Sequence, residues 1–207
     1  VQSLPLTIRT VFAITAANPE NVYAVCTKRA PYSSFQANFH SVIVSTDKGE
    51  TWEIRADYTN TPNILGRYDG TGNDLGGQGW YDLCIGVSPL DENEIFVGGI
   101  NLWKSTDGGY NWEHATSTNL KYQKPYIHVD QHFLTYRENS GEMFAANDGG
   151  IYSTTDQGET WEYRSNGMSI TQFYRIGCDK SNPDRIAGGC QDNGTRICLN
   201  GEWFQTG

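Results

Sequence analysis

The sequence predicts an all-β protein: a β-propeller segment of about four four-stranded antiparallel blades, part of a larger propeller. Three observations carry this. An octapeptide of the form Ser/Thr-Thr-Asp-x-Gly-x-Thr/Asn-Trp occurs three times, at Ser45–Trp52, Ser105–Trp112 and Thr154–Trp161. Its aspartates are 60 and 49 residues apart, in or near the range of propeller blades. The chain of 207 residues is rich in Gly (23), Tyr (12) and Trp (6) and has 19% charged residues, as short aromatic strands joined by glycine turns would require.

Each octapeptide follows a strand-like run, such as Ser41–Val44, and precedes another, such as Trp52–Arg55. It reads as a hairpin turn. Its Asp takes hydrogen bonds from the turn's own N–H groups, its Gly supplies positive φ, and its Trp covers the turn. Asp47, Gly49 and Trp52, then Asp107, Gly109 and Trp112, then Asp156, Gly158 and Trp161 are therefore assigned a structural role, since an Asp bound to its own backbone is already occupied.

The blades are expected at about 8–57, 81–116, 127–165 and 172–206, in one domain covering 1–207, with a long loop at 58–80. The first has strands near 10–17, 21–28, 41–47 and 51–57. The second has strands near 81–88, 94–100, 102–107 and 111–116. The third has strands near 127–137, 142–147, 150–156 and 160–165. The fourth has strands near 172–180, 185–191, 195–199 and 202–205. The fourth lacks the octapeptide, but Asn200-Gly201 stands in its place, and Asn-Gly is the strongest two-residue hairpin signal. Four blades seldom close a ring, and an open array would leave sheet faces unburied, so the chain is expected to partner further blades of its own protein.

A net charge of −9 and a pI near 4.8 argue against nucleic acid as a partner. No apolar run approaches the length of a membrane span. Of the five cysteines, Cys26 and Cys84 fall in apolar strand patterns and read as core. Cys190 and Cys198 could meet across a hairpin.

Antiparallel order sorts the loops by face. The octapeptides share one face. The other collects 29–40, 58–80, 117–126, Asn147–Gly150 and Gln191–Gly194, and long loops on a regular scaffold are where function usually sits. Aromatic residues crowd this second face: Tyr32, Phe35, Phe39, Tyr58, Tyr68, Trp80, Tyr81, Tyr122 and Tyr126. Rings beside carboxylates and amides suit a glycan, which stacks its C–H face and hydrogen-bonds its hydroxyls; packing of the loops themselves is the alternative. The ligand-binding candidates are Trp80, Tyr81, Asp82, His128, Asp130, His132, Asn147 and Gln191.

Asp148 and Asp192 follow the second strand of successive blades and are the candidates for a catalytic acid and base on a glycosidic bond, against the alternative that each caps its own glycine turn. In His128-Val129-Asp130-Gln131-His132, strand alternation would put His128, Asp130 and His132 on one side, as a metal site or a polar lining. Asp69 and Asp74, in a single Gly-Asp-rich turn, are weak calcium candidates; no other cofactor is indicated.

The three octapeptides resemble those of Asp-box (BNR) propellers, which include sialidases, sortilin (VPS10)-type domains and xyloglucanases. Gly79–Leu83, Val97–Gly109, His128–His132, Asn147–Tyr152, Ile170–Tyr174 and Gly189–Thr195 are similar to large secreted bacterial proteins with sortilin-like propellers, many of them type IX secretion substrates. The resemblance implies a secreted or cell-surface protein whose chain continues beyond Gly207. In xyloglucanases a catalytic Asp lies in an Asp-x-Gly-Gly turn, which Asn147-Asp148-Gly149-Gly150 approaches. The leading expectation is a non-catalytic binding or scaffolding propeller whose ligand is a glycan or a protein. A glycoside hydrolase using Asp148 and Asp192 is the alternative.

Overall fold

The structure, a computed structural model, describes residues 7–30, 33–66, 72–73, 76–117 and 124–206, with 29, 30 and 33–37 described by backbone alone. The described residues contain no helix. They form two compact units, Val1–Asn166 and Gly167–Gly207.

The first unit holds three four-stranded antiparallel sheets. Sheet one is β1 (Thr10–Ile14), β2 (Val22–Ala30), β3 (Ser33–Ser45) and β4 (Glu53–Asp57). Sheet two is β5 (Cys84–Val87), β6 (Ile95–Gly98), β7 (Leu102–Ser105) and β8 (Glu113–His114). Sheet three is β9 (Gln131–Tyr136), β10 (Met143–Asn147), β11 (Gly150–Thr154) and β12 (Glu162–Tyr163). The second unit is one such sheet: β13 (Phe173–Cys178), β14 (Arg185–Cys190), β15 (Thr195–Leu199) and β16 (Glu202–Thr206). All four sheets pair neighbours in sequence order, the plan of a propeller blade.

Sheet two shows why its strands form. β5, β6 and β7 are buried at every position, so both faces pack. Ile85, Val87, Ile95, Val97 and Trp103 join Tyr23, Val25, Val42 and Val44 of sheet one in one core. Cys84, Phe96 and Leu102 join Leu134, Met143 and Ala145 of sheet three in another. The two-residue period thus sends alternate side chains into different cores.

The three octapeptide turns share one hydrogen-bond scheme. Asp47 Oδ1 accepts from Ser45 Oγ (2.7 Å) and the Thr51 N–H (2.8 Å), and Oδ2 accepts from Thr51 Oγ1 (2.6 Å). The Gly49 N–H donates to Ser45 Oγ, and Trp52 Nε1 donates to the Gly49 carbonyl. Ser105, Asp107, Asn111 and Trp112 repeat the scheme, as do Thr154, Asp156, Thr160 and Trp161. Each later turn also docks on the preceding sheet. Tyr110 Oη donates to Glu53 and lies under the Arg55 guanidinium, and Lys104 Nζ donates to the Gln157 carbonyl.

These hydrogen bonds, from Thr51 first and then Ser45, hold the Asp47 carboxyl at about 2. At Asp107 burial pushes upward, but hydrogen bonds from Asn111, Ser105 and Tyr110 prevail and the carboxyl lies below its ordinary value; Thr160 lowers Asp156 in the same way. A lowered folded-state pKa stabilises above the unfolded value, about 3.9, and that stability disappears as pH falls toward 2. The midpoint of urea unfolding should therefore drop from pH 4 to pH 2, and the drop should be smaller in Asp47→Asn. Parallel acid limbs in the two proteins would show that Asp47 does not contribute.

Three strand expectations are corrected. Residues 29–40, expected as a loop, belong largely to the β2–β3 hairpin, whose closing pair is Ala30↔Ser33; the alternating Phe and polar residues of Ser33–His40 extend β3. The strand expected from residue 81 starts at Cys84, because residues 78–82 form a turn in which the Tyr81 and Asp82 N–H groups donate to the Gln78 carbonyl. The strand expected from residue 127 starts at Gln131, because Asp130 has φ of 63° and interrupts the extended run.

Cys190 and Cys198 are also corrected: both are free thiols. Cys198 pairs in register with Ile186 and Cys190 with Phe173, so they are not cross-strand neighbours. Cys26 and Cys84 are buried in the cores. In the second unit, Asn200 and Gly201 adopt φ of 55° and 84° and close β15 onto β16 as a two-residue turn.

Candidate functional site

In the first unit β1, β5 and β9, the first strands of their sheets, line a groove of about 750 Å³. At one end of it stand the turn before β5, the start of β9 and the two-residue turn between β10 and β11. This is the end opposite the octapeptides. Arg9 ties the turn before β5 in place by donating to the Tyr81 carbonyl (2.8 Å) and the Leu83 carbonyl (3.4 Å).

Asp148 is the focus. His132 Nε2 donates to its Oδ1 (2.6 Å), and Tyr81 Oη donates across both oxygens (3.2 and 3.1 Å). The Tyr81 and His132 rings meet edge to face at 4.9 Å. Burial, then the charge and hydrogen bond of Asp148, push the Tyr81 hydroxyl up to about 12, so it stays a donor at neutral pH. Trp80 packs beside Tyr81 at 5.6 Å, and both rings are exposed, Trp80 by 54% and Tyr81 by 38%.

Beneath this layer lie two carboxyl groups. Asp82 is fully buried and hydrogen-bonded to Asp130. Burial and the Asp130 charge push the Asp82 carboxyl well above the usual carboxylate range. Gln78 Nε2 donates to Asp130 Oδ1 (3.1 Å) and reaches Asp82 Oδ2 (3.5 Å). Asp82 Oδ1 has no hydrogen-bond partner among the described residues. The left-handed backbone at Asp130 turns its side chain into this pair.

His128 does not join the group. It is buried, with Nδ1 against the Val129 carbonyl, and the irregular backbone of 128–130 breaks the expected alternation. Asn147 is buried; it donates to Gln131 Oε1 (3.3 Å) and accepts from the Gly149 N–H (3.0 Å). Asp192 and Gln191 lie in the second unit, in the turn after β14, with Asp192 exposed at φ of 53°. Tyr58 and Tyr126 are exposed on their loops. Asp69, Asp74, Tyr32, Tyr68, Tyr122 and the Phe35 side chain lie outside the described residues.

The structure thus gathers Tyr81, Asp82, Asp130, His132 and Asp148, with Trp80 at the edge. It adds Gln78 and Arg9, which sequence reasoning missed. Gln78 lies only four residues before Asp82, a spacing its turn could have suggested. Arg9 lies 72 residues from Tyr81 and left no local signal.

No known family profile matches the chain. Among curated proteins, xyloglucanase Xgh74A of Acetivibrio thermocellus is 27% identical over 171 residues, 72% of this chain and 19% of the relative. A xyloglucanase of a Paenibacillus species is 27% identical over 175 residues, 72% of this chain and 15% of the relative. The chain therefore spans less than a fifth of the length of these relatives. Among solved structures, the GH74 enzyme of Niastella koreensis is similar with a TM-score of 0.50 and 19% identity, over 94% of this chain and 29% of that one. That likeness establishes the fold: the sheets are β-propeller blades.

Proposed function

We propose that this chain is the glycan-binding part of a larger, non-catalytic propeller, with Trp80 and Tyr81 as the sugar platform. The observation that carries the reading is the adjacent pair of exposed rings beside a carboxylate held by Tyr81 and His132. Flat rings take the C–H face of a sugar, and the Asp148 oxygens accept from its hydroxyls. The xyloglucanase relatives make a β-glucan backbone the first ligand to try. The same reading makes the protein secreted or displayed at the cell surface, of the Asp-box or sortilin-like kind, and exported by type IX secretion.

The reading is non-catalytic because of what surrounds Asp148. Counted back from Gly149-Gly150, the acid of an Asp-x-Gly-Gly turn falls on Asn147, whose amide cannot exchange a proton in catalysis. Asp148 itself is engaged by two donors.

Titration calorimetry with xyloglucan oligosaccharides and soluble β-glucans tests this. Binding is expected, and Trp80→Ala should weaken it roughly 10–100-fold, the range for truncating a central aromatic contact. Release of reducing sugar, abolished in Asp148→Asn, would replace the reading with the hydrolase. Binding of no glycan would replace it with a protein-binding or scaffolding role.

A further inference from the structure

We infer that sheet one carries a pocket, separate from the platform above, that binds a uronic acid, with Lys28 holding its carboxylate and Asn38 accepting from one of its hydroxyls. The pocket encloses about 250 Å³ and lies at the end of sheet one away from its octapeptide turn. Clefts for drug-sized ligands run to roughly 300–1,000 Å³, so this one has room for a single sugar residue. Lys28, Asn38, Tyr58, Thr61, Asn63 and Asn73 stand in its wall.

Two polar groups there lack a partner. Lys28 on β2 and Asn38 on β3 are opposite one another in register, so both side chains rise from one face of the sheet. The Lys28 ammonium rests on the Tyr58 ring, 2.8 Å from its centroid. Among the described residues no carboxylate pairs with it. The carboxylate that acts on it, that of Asp57, already accepts from the Thr59 N–H (2.8 Å) and hydroxyl (2.6 Å). Burial disfavours the charged amine, a cost that a bound carboxylate offsets. Asn38 is 8% exposed, and its Oδ1 has no hydrogen-bond partner among the described residues. Buried carbonyl oxygens are normally paired, and leaving one unpaired is costly. The last torsion of an asparagine is broad, so the amide can turn to meet a hydroxyl in the pocket.

These two needs select the ligand. An unpaired cation beside an unpaired acceptor calls for a molecule with an anion and a hydrogen-bond donor close together. A uronic acid bears both on one ring. The rest of the wall suits the rest of the sugar. Thr61 Oγ1 donates to Asn60 Oδ1 (2.8 Å) and keeps its lone pairs for a hydroxyl donor. Tyr58 is 54% exposed and offers ring surface to C–H groups. The net charge of −9 does not keep the acid away at physiological salt, where charges beyond about 8 Å are screened. The pocket shares no residue with the Trp80–Tyr81 platform, so it stands whether or not the glycan reading holds.

The test uses the whole chain. D-glucuronate and D-galacturonate are titrated calorimetrically beside D-glucose and acetate. One equivalent of at least one uronate should bind, and glucose and acetate at least tenfold more weakly. Lys28→Met keeps the apolar stem and removes the charge, and should weaken uronate binding at least tenfold; thermal melts check that it folds. A second measurement needs no variant. Saturating uronate should slow acylation of the Lys28 amine by acetic anhydride, read by peptide mass mapping. Lack of saturable binding of both uronates overturns the proposal. So does acetate binding as tightly as uronate, uronate binding unchanged in Lys28→Met, or acylation of Lys28 unchanged by uronate.

Discussion

Phe96→Ala is expected to cost the first unit about 3–5 kcal/mol, the range for deleting a fully buried phenylalanine. Phe96 has no exposed surface and sits among Leu102, Leu134, Met143 and Ala145, where sheets two and three meet. Its ring also carries the third octapeptide turn. A Cβ on Gly158, whose φ is +87°, would stand 3.2 Å from the ring edge, and the Lys104 ammonium lies 5.8 Å over the ring while donating to the Gln157 carbonyl. Removing the ring leaves a cavity between two sheets and unseats that turn. For a unit of this size the melting temperature should fall by roughly 6–20 °C. Urea unfolding followed by tryptophan fluorescence reads the loss. A cost below about 1 kcal/mol would mean the sheets close over the gap and the two cores are not separately packed.

Gly149→Ala is expected to disable the site and to cost about 1–3 kcal/mol, the usual range for overpacking. A Cβ at Gly149 would overlap Cβ and Cγ of His128, which is buried and cannot swing away. The turn must lift, and Asp148 lifts with it, away from Tyr81 and His132. Binding of glycan should weaken at least tenfold, beyond what the stability change explains. Nuclear magnetic resonance of the His132 side chain gives a direct check. An unchanged His132 environment in Gly149→Ala would show that the turn accommodates the methyl without moving Asp148.

Local chemistry explains what was readable in advance. The octapeptide turns and the Asn200-Gly201 turn follow from contacts within a few residues, and the four antiparallel sheets pair only strands that are neighbours in sequence. In each octapeptide, Asp binds the residue four positions on, Gly takes the positive φ and Trp folds back over three residues. Such short-range chemistry survives in the sequence as a pattern. The β2–β3 hairpin was misread because Ser33–His40 mixes β-forming rings with residues common in loops, and pairing with β2 decided the matter.

The site was only half legible. The candidate residues included Tyr81, Asp82, Asp130, His132 and Asp148, but alternation along a strand gave the wrong grouping. One left-handed residue, Asp130, removes His128 from the set and turns its own carboxyl toward Asp82.

The sequence by itself determined the blade plan, because repeated turns and two-residue periodicity are local properties of the chain. Only the tertiary structure decided which polar groups meet. Arg9, the 78–82 turn, the start of β9 and Asp148 are brought to one end of a groove by the packing of three first strands. That juxtaposition depends on burying the faces of sheet two against both neighbouring sheets, a non-local requirement that no single segment encodes.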